Sequence, residues 1–175
     1  SLGLGMVSKY PIALLGIAAL VFMLTDSKSR KSFLSWRPYA AAVIALMVFS
    51  PVIVWNVEND FASFAFQSAG RLEKAAKFTF HELILHVLAI LSPVGFYVFI
   101  KWLCCFRRRT FLEASGIEDR KEKFVLVFSL VPLLIFAFVS LSHEVKINWT
   151  GPVFLALLPF LGQSLADGSA AIQKG

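Results

Sequence analysis

Three side chains in this sequence stand where their chemistry has consequences at a membrane boundary: Lys9, Arg71 and Lys146. Each lies in a short polar and aromatic stretch next to a long apolar run. Lys9 belongs to Ser8-Lys9-Tyr10-Pro11. Arg71 follows Trp55-Asn56-Val57-Glu58-Asn59-Asp60 and Ser63-Phe64-Ala65-Phe66-Gln67, and Lys146 lies within His143-Glu144-Val145-Lys146-Ile147-Asn148-Trp149. A lysine at the edge of hydrocarbon either snorkels to water or holds its ammonium at the depth of a lipid phosphate, which a compact point charge neutralises well. An arginine at headgroup level either grips phosphate with two parallel hydrogen bonds or touches headgroups as surface decoration. Around Lys146, an acid, a cation, an amide and an indole crowd one short loop. They read as a tight salt-bridged turn or as part of a polar site.

Metal and thiol chemistry find little support. His81 and His86 are five residues apart, about 140° round a helix of 3.6 residues per turn, whereas a zinc-protease helix needs i and i+4. Cys104 and Cys105 are adjacent, beside Arg107, Arg108 and Arg109, which gives neither metal-ligand spacing nor a disulfide framework. They read as reduced thiols at a helix end.

The elements that must position these groups follow from composition. Of 175 residues 58% are hydrophobic, 18 are Phe and only 16% are charged, far from the balance of a water-soluble domain. The charges are gathered into short stretches, and five apolar segments fall between them, at about 4–24, 38–55, 82–103, 124–141 and 149–165. Each approaches the roughly 17–25 residues of a spanning helix. The expected fold is all-α, a polytopic bundle of about five spans, with a further helix lying on the membrane near Phe61 and Phe64. Gly16, Pro51, Pro93, Gly95, Pro132 and Pro159 inside the segments mark kinks and close contacts rather than ends. Residues 113–123 read as a solvated helix or simple loop.

The net charge of +6 and pI near 9.6 would raise nucleic acid as a partner in a soluble protein; here topology accounts for them, and no nucleic acid is expected. Lys28, Arg30, Lys31, Arg37, Lys101, Arg107, Arg108, Arg109, Arg120, Lys121, Lys123 and Lys174 fall on one side of the bundle. Lys9, Arg71, Lys74, Lys77 and Lys146 fall on the other, offset by Glu58, Asp60, Glu73, Glu82 and Glu144. The positive-inside rule puts the first group in the cytoplasm, the amino terminus outside and the carboxyl terminus inside.

With these stretches in hand, the chain resembles the polyprenyl-phosphate-dependent glycosyltransferases of family 39, of GT-C type. These are relatives of protein mannosyltransferases and of the aminoarabinose transferase that modifies lipid A. The resemblance rests on Gly3-Leu4-Gly5-Met6-Val7-Ser8-Lys9-Tyr10, on Pro51-Val52-Ile53-Val54-Trp55-Asn56 with Ser63 to Gln67 and Arg71, and on Lys146-Ile147-Asn148-Trp149-Thr150-Gly151-Pro152 through Pro159. It covers nearly the whole chain but only the middle and later membrane part of a family member. The family's catalytic Asp, in the first large outer loop near the amino terminus, has no counterpart here. None of Glu58, Asp60, Glu73 or Glu144 matches it, and no catalytic residue is assigned.

The resemblance implies one transmembrane domain, residues 1–175, of a larger enzyme in a bacterial inner membrane. A sugar would leave a polyprenyl-phosphate donor at the outer face for an unknown acceptor, lipid, glycan or protein. Lys9 best matches the family's basic residue for the donor phosphate, with Arg71 and Lys146 secondary. Tyr10, Asn56, Gln67, Glu144, Asn148 and Trp149 would line the substrate site. Some members use a divalent metal, but the sequence offers no ligand set for one. The competing reading is a non-catalytic polytopic membrane protein, a small transporter or structural subunit, in which Lys9, Glu144 and Lys146 pair or snorkel. A transporter is expected to bury charge near mid-membrane and often to show repeats, and neither is evident.

Overall fold

The computed structural model describes residues 2–63, 78–106, 117–143 and 145–173, and among them every regular element is helical. In chain order the α-helices are α1 Leu2–Ser8, α2 Ala13–Thr25, α3 Ser27–Arg30, α4 Arg37–Glu58, α5 Phe80–Phe106, α6 Ile117–Ser140 and α7 Gly151–Gln173. Short 3-10 turns at Tyr10–Ile12, Lys31–Leu34 and Ile147–Trp149 join them. The protein is an all-α integral membrane protein. Helix α4, Phe80–Cys104 of α5 and Arg120–Ser140 of α6 are long and apolar enough to cross a bilayer. Tyr10–Thr25 and Ser27–Leu34, bent by 98°, make a fourth crossing if taken as one span, and the apolar part of α7, Gly151–Gln163, is shorter. Among the described residues three or four helices, against the expected five crossings, thus have the length and hydropathy of a span. The first apolar run is interrupted by a backbone break that its hydropathy does not register.

The first run, expected to be one helix over 4–24, folds back on itself at Lys9. Helix α1 ends at Ser8, Lys9 is extended (φ −150°, ψ 122°), and Tyr10–Ile12 opens the next helix with Pro11 in its first turn. Proline has no N–H to continue a helix from Val7 but suits the first turn of a new one. A Cβ on Gly5 would stand 2.7 Å from Ile12, and one on Gly16 would stand 3.1 Å from Leu2. In a straight helix Leu2 and Gly16 would be about 21 Å apart. Helix α1 thus runs back along α2, and Leu2 lies level with Gly16, about one turn into α2.

Helix α1 also packs against α4. There Gly3 is buried, and a Cβ on it would meet the Ala45 carbonyl oxygen at 2.6 Å and Val48 at 2.9 Å. Small residues let membrane helices approach this closely. Gly3→Ala should therefore separate α1 from α4 and cost about 1–3 kcal/mol, as overpacking does. A lowered midpoint of thermal unfolding in detergent is the expected result.

Helix α5 breaks at Ser92, whose φ of 59° and ψ of 163° interrupt it just before Pro93, and the Ser92 hydroxyl accepts from the Gly95 amide at 3.4 Å. Pro93 thus marks a kink as expected, while Pro51, Pro132 and Pro159 sit inside α4, α6 and α7. Helix α6 begins at Ile117, earlier than the expected 124, and Lys123 within it is only 2% exposed. The reading of 113–123 as a solvated segment fails at that residue, because α6 turns it onto α2.

The core gathers Leu83, Val87 and Leu91 of α5, Val125 and Phe136 of α6, and Val153, Phe154, Leu157 and Leu161 of α7. The i, i+4 spacing of Leu83, Val87 and Leu91 and of Val153, Leu157 and Leu161 draws an apolar stripe down α5 and α7. Contacts sort the helix ends into two groups. At one end the Thr79 amide donates to the Ser140 carbonyl at 2.9 Å, and the turn at Lys9 lies beside the start of α7. At the other, Arg120 of α6 meets Asp26 after α2.

Candidate functional site

Lys9 and Asn148, 139 positions apart in the sequence, line one cavity of about 210 Å³. Pro11 and Ile12 form its wall on one side, and Gly151, Pro152 and Leu155 from the first turns of α7 form the other. The turn after Gly5 holds Lys9 here through its backbone: the Lys9 amide donates to the Gly5 carbonyl at 2.8 Å and its own carbonyl accepts from the Ile12 amide at 3.1 Å. Its side chain is exposed and makes no ion pair among the described residues. The positive end of the α7 dipole opens on the same cavity, so two sources of positive potential converge on a mostly apolar hollow. The arrangement suits an anion attached to an apolar body.

The loop that carries Asn148 is built from buried anchors. Thr79 donates its hydroxyl to the His143 carbonyl at 2.8 Å, Val145 is only 1% exposed, and the Thr150 hydroxyl donates to the Ile147 carbonyl at 2.8 Å. Lys146 is extended, exposed and directly ahead of the Ile147–Trp149 turn; it lies near the cavity in sequence but does not line it. Trp149, expected in the site lining, is half-buried and packs against the core with part of its surface. An indole is the largest apolar group in the loop, and packing against the core removes part of it from water.

Tyr10 and Asn56 are brought together through Ser63, a residue the sequence reading did not place in the site. Asn56 is fully buried near the end of α4; its Nδ2 donates to the Val52 carbonyl at 2.8 Å. Its Oδ1 accepts from the Ser63 hydroxyl at 2.7 Å and the Ser63 amide at 3.2 Å. With the Ser63 hydrogen committed to Asn56, the Tyr10 hydroxyl donates to Ser63 Oγ at 2.8 Å. The backbone oxygen of Asn56 also takes the Phe61 amide at 2.6 Å, across a turn in which Asp60 and Phe61 have φ of 50° and 55°. Asn56 therefore organises the turn, and Tyr10 braces the Lys9 loop against α4. The signal available in the sequence was the Asn56-to-Ser63 spacing across a helix end.

Arg71, Gln67 and Glu144 lie outside the described residues, as does most of the expected surface helix. Among the described residues no three His, Cys, Asp or Glu side chains gather as a metal site. An ammonium and an amide beside the cavity do not fit a divalent cation.

A second polar cluster, at the other end of the bundle, escaped the sequence reading. Asp26, 1% exposed, ends α2 and caps α3 by accepting from the Ser29 amide at 2.7 Å. Arg120 grips it with both arms of its fork, Nε to Oδ1 at 3.1 Å and Nη2 to Oδ2 at 2.9 Å, and Lys123 Nζ donates to the Thr25 carbonyl at 2.7 Å. The hydrogen bonds from Arg120 outweigh burial and, with those from Ser29, hold the Asp26 carboxyl well below the usual carboxylate range. A lone acid amid Lys28, Arg30 and Lys31 was its trace in the sequence.

Residues 1–55 match the family described as dolichyl-phosphate-mannose-protein mannosyltransferase. Over 176 aligned residues the chain is 31% identical to the lipopolysaccharide core galacturonosyltransferase RgtA of Rhizobium johnstonii, covering 95% of this chain and 34% of that protein. It is 28% identical to RgtB of the same organism, a lipopolysaccharide core galacturonosyltransferase too, covering 89% of this chain and 33% of that protein. The chain thus spans about a third of the length of the curated relatives it matches. No solved structure gives a significant match. The family match covers the Lys9 turn and most of α4, the two relatives align along nearly all of the chain, and the helices are those of a membrane bundle: the chain belongs to the GT-C-type glycosyltransferases.

Proposed function

We propose that residues 1–175 form one transmembrane unit of a larger enzyme in a bacterial inner membrane. In this reading the enzyme moves a uronic acid sugar from a polyprenyl-phosphate carrier to the lipopolysaccharide core at the outer face, with the Lys9 turn of the unit outside and its carboxyl terminus in the cytoplasm. The sugar and acceptor are taken from the two relatives' activities. The donor and the side rest on the resemblance and on the sorting of Lys and Arg between loops. The observation that carries the reading is the convergence of Lys9 and Asn148 on one cavity beside the positive end of α7.

In this reading the Lys9 ammonium meets the carrier phosphate and offsets the charge that grows on it as the sugar departs. Asn148 hydrogen-bonds the sugar or the phosphate from the opposite wall, and Leu155 and Ile12 cover the first isoprene units. Tyr10 and Asn56 act through position, by holding the Lys9 turn. Arg71 and Lys146, the latter beside the cavity in sequence, are secondary phosphate contacts, and Gln67, Glu144 and the exposed part of Trp149 complete the lining. The general base that activates the acceptor is not assigned to any residue of this chain.

Membranes carrying the full-length protein, supplied with polyprenyl-phosphate-linked labelled galacturonic acid, should put label into the lipopolysaccharide core. Leu155→Trp, which fills the cavity, should cut that incorporation about tenfold or more at unchanged protein level, because misplacing the donor by an ångström or so forfeits orientation. Unchanged incorporation by Leu155→Trp removes the cavity from the donor path. Label accepted only from another polyprenyl-linked sugar reassigns the sugar and leaves the reaction class standing.

A further inference from the structure

At the end of the bundle away from Lys9, helices α2, α6 and α7 part to leave a second cavity of about 440 Å³. Its composition changes along its length. At the mouth stand Arg120 and Lys121 of α6 and Gln163 of α7; deeper, the wall is Phe22, Phe124 and Val125 on one side and Ala156 and Pro159 on the other. Helix rise puts Val125 about 7 Å below Arg120 and Ala156 about 10 Å below Gln163. Cations sit at the rim and roughly two turns of apolar wall lie beneath them.

The wall is pre-formed. Phe22 meets Phe124 edge-on with centroids 5.5 Å apart, and Phe124 stacks on Phe128 at 4.1 Å. The rim is fixed as well: Asp26 and Ser29 take three hydrogen bonds from Nε and Nη2 of Arg120, which orients the guanidinium plane. The Nη1 donors of Arg120 make no hydrogen bond among the described residues. A fork held in place on one side keeps its geometry for a phosphate on the other.

We propose that this cavity binds one anionic glycerophospholipid of the surrounding leaflet, its phosphodiester at Arg120 and Lys121 and the upper part of an acyl chain along Phe22, Phe124 and Ala156. Charge complementarity selects the headgroup. The rim belongs to the face that carries Lys28, Arg30, Lys31 and Lys101, where the local potential draws anionic lipid. A soluble phosphate ester would use the rim alone and leave the apolar wall uncovered, so a lipid is the occupant that satisfies both parts. The site is remote from Lys9 and does not depend on the sugar-transfer reading.

The test is native mass spectrometry of the full-length protein in detergent with phosphatidylglycerol or with phosphatidylcholine of the same chains. The unmodified protein should retain one phosphatidylglycerol about fivefold better than phosphatidylcholine, the worth of one basic residue near anionic headgroups. Lys121→Gln, an exposed change outside the Asp26 pair, should abolish that preference. Ala156→Leu, which fills the apolar part, should lower retention of both lipids, while Lys31→Gln, which does not line the cavity, should change neither. Equal retention of the two lipids by the unmodified protein overturns the proposal, and this arm needs no variant to fold. Retention unaltered by both Lys121→Gln and Ala156→Leu overturns it too. Displacement of phosphatidylglycerol by millimolar glycerol 3-phosphate would show a site for a soluble phosphate ester instead, and would overturn the lipid assignment.

Discussion

Lys9→Ala in the full-length protein is expected to lower sugar transfer by about a hundredfold or more while leaving the protein's level in the membrane unchanged. The size is that of removing one preorganised charge or donor from a developing anion. The unchanged level follows from how the structure holds Lys9. Its backbone makes the turn, donating to the Gly5 carbonyl and accepting from the Ile12 amide, and alanine keeps both bonds. Its ammonium makes no ion pair among the described residues, so removal leaves no buried partner uncompensated. Lys9→Arg should recover part of the activity, because charge is kept but a planar fork replaces a point charge. Transfer assays on membranes, normalised to protein level, decide it. Normal transfer by Lys9→Ala would remove the lysine from the donor site.

A change at the other end of the bundle should act on stability instead. Asp26→Asn or Arg120→Ala should each lower the unfolding midpoint, since either leaves half of a bidentate pair whose carboxylate is buried. Unfolding in detergent is the measurement. A combined Asp26→Leu, Arg120→Met variant should recover most of the loss, because apolar replacements of such pairs are often neutral. A double variant no better than the single ones would show that the pair's place in the turn, rather than its charge, is what matters.

The pair also sets a pH response. The carboxyl of Asp26 titrates below its unfolded value, so its contribution is fully present above about pH 4. It is lost as pH falls from there through the lower folded value, where the folded state must take up a proton that the unfolded chain already holds. Unfolding midpoints should therefore drop on acidification below about pH 4 in the parent protein, and much less so in the double variant.

Hydropathy made the helical membrane architecture readable, because a chain of this composition has no other way to satisfy its backbone in lipid. It did not reveal breaks in the backbone. The run 4–24 has no charge but Lys9, yet the sequence Lys9-Tyr10-Pro11 turns it back on itself. Gly3 and Gly5, quoted as a family signature, prove to be the points at which α4 and Ile12 approach α1. Lys9 and Asn148 were legible as candidates singly, from residue type and place; their convergence was not, since it depends on how α7 packs beside the turn. That Trp149 also packs part of its indole against the core was not legible, since it depends on the same packing. Arg120 and Lys123 were counted as loop charge. They serve instead to close a corner between α2 and α6, an interaction across 94 positions that no local pattern announces.

The return of α1 along α2 has a practical consequence for mapping which side of the membrane each loop faces. A reporter joined at Leu2 would stand level with Gly16 rather than at the Lys9 end, and so would not report the side of the Lys9 turn. Single cysteines at Ser35 and at Lys146, both outside the regular α-helices and at opposite ends of the bundle, are the positions at which a membrane-impermeant thiol reagent should discriminate one compartment from the other.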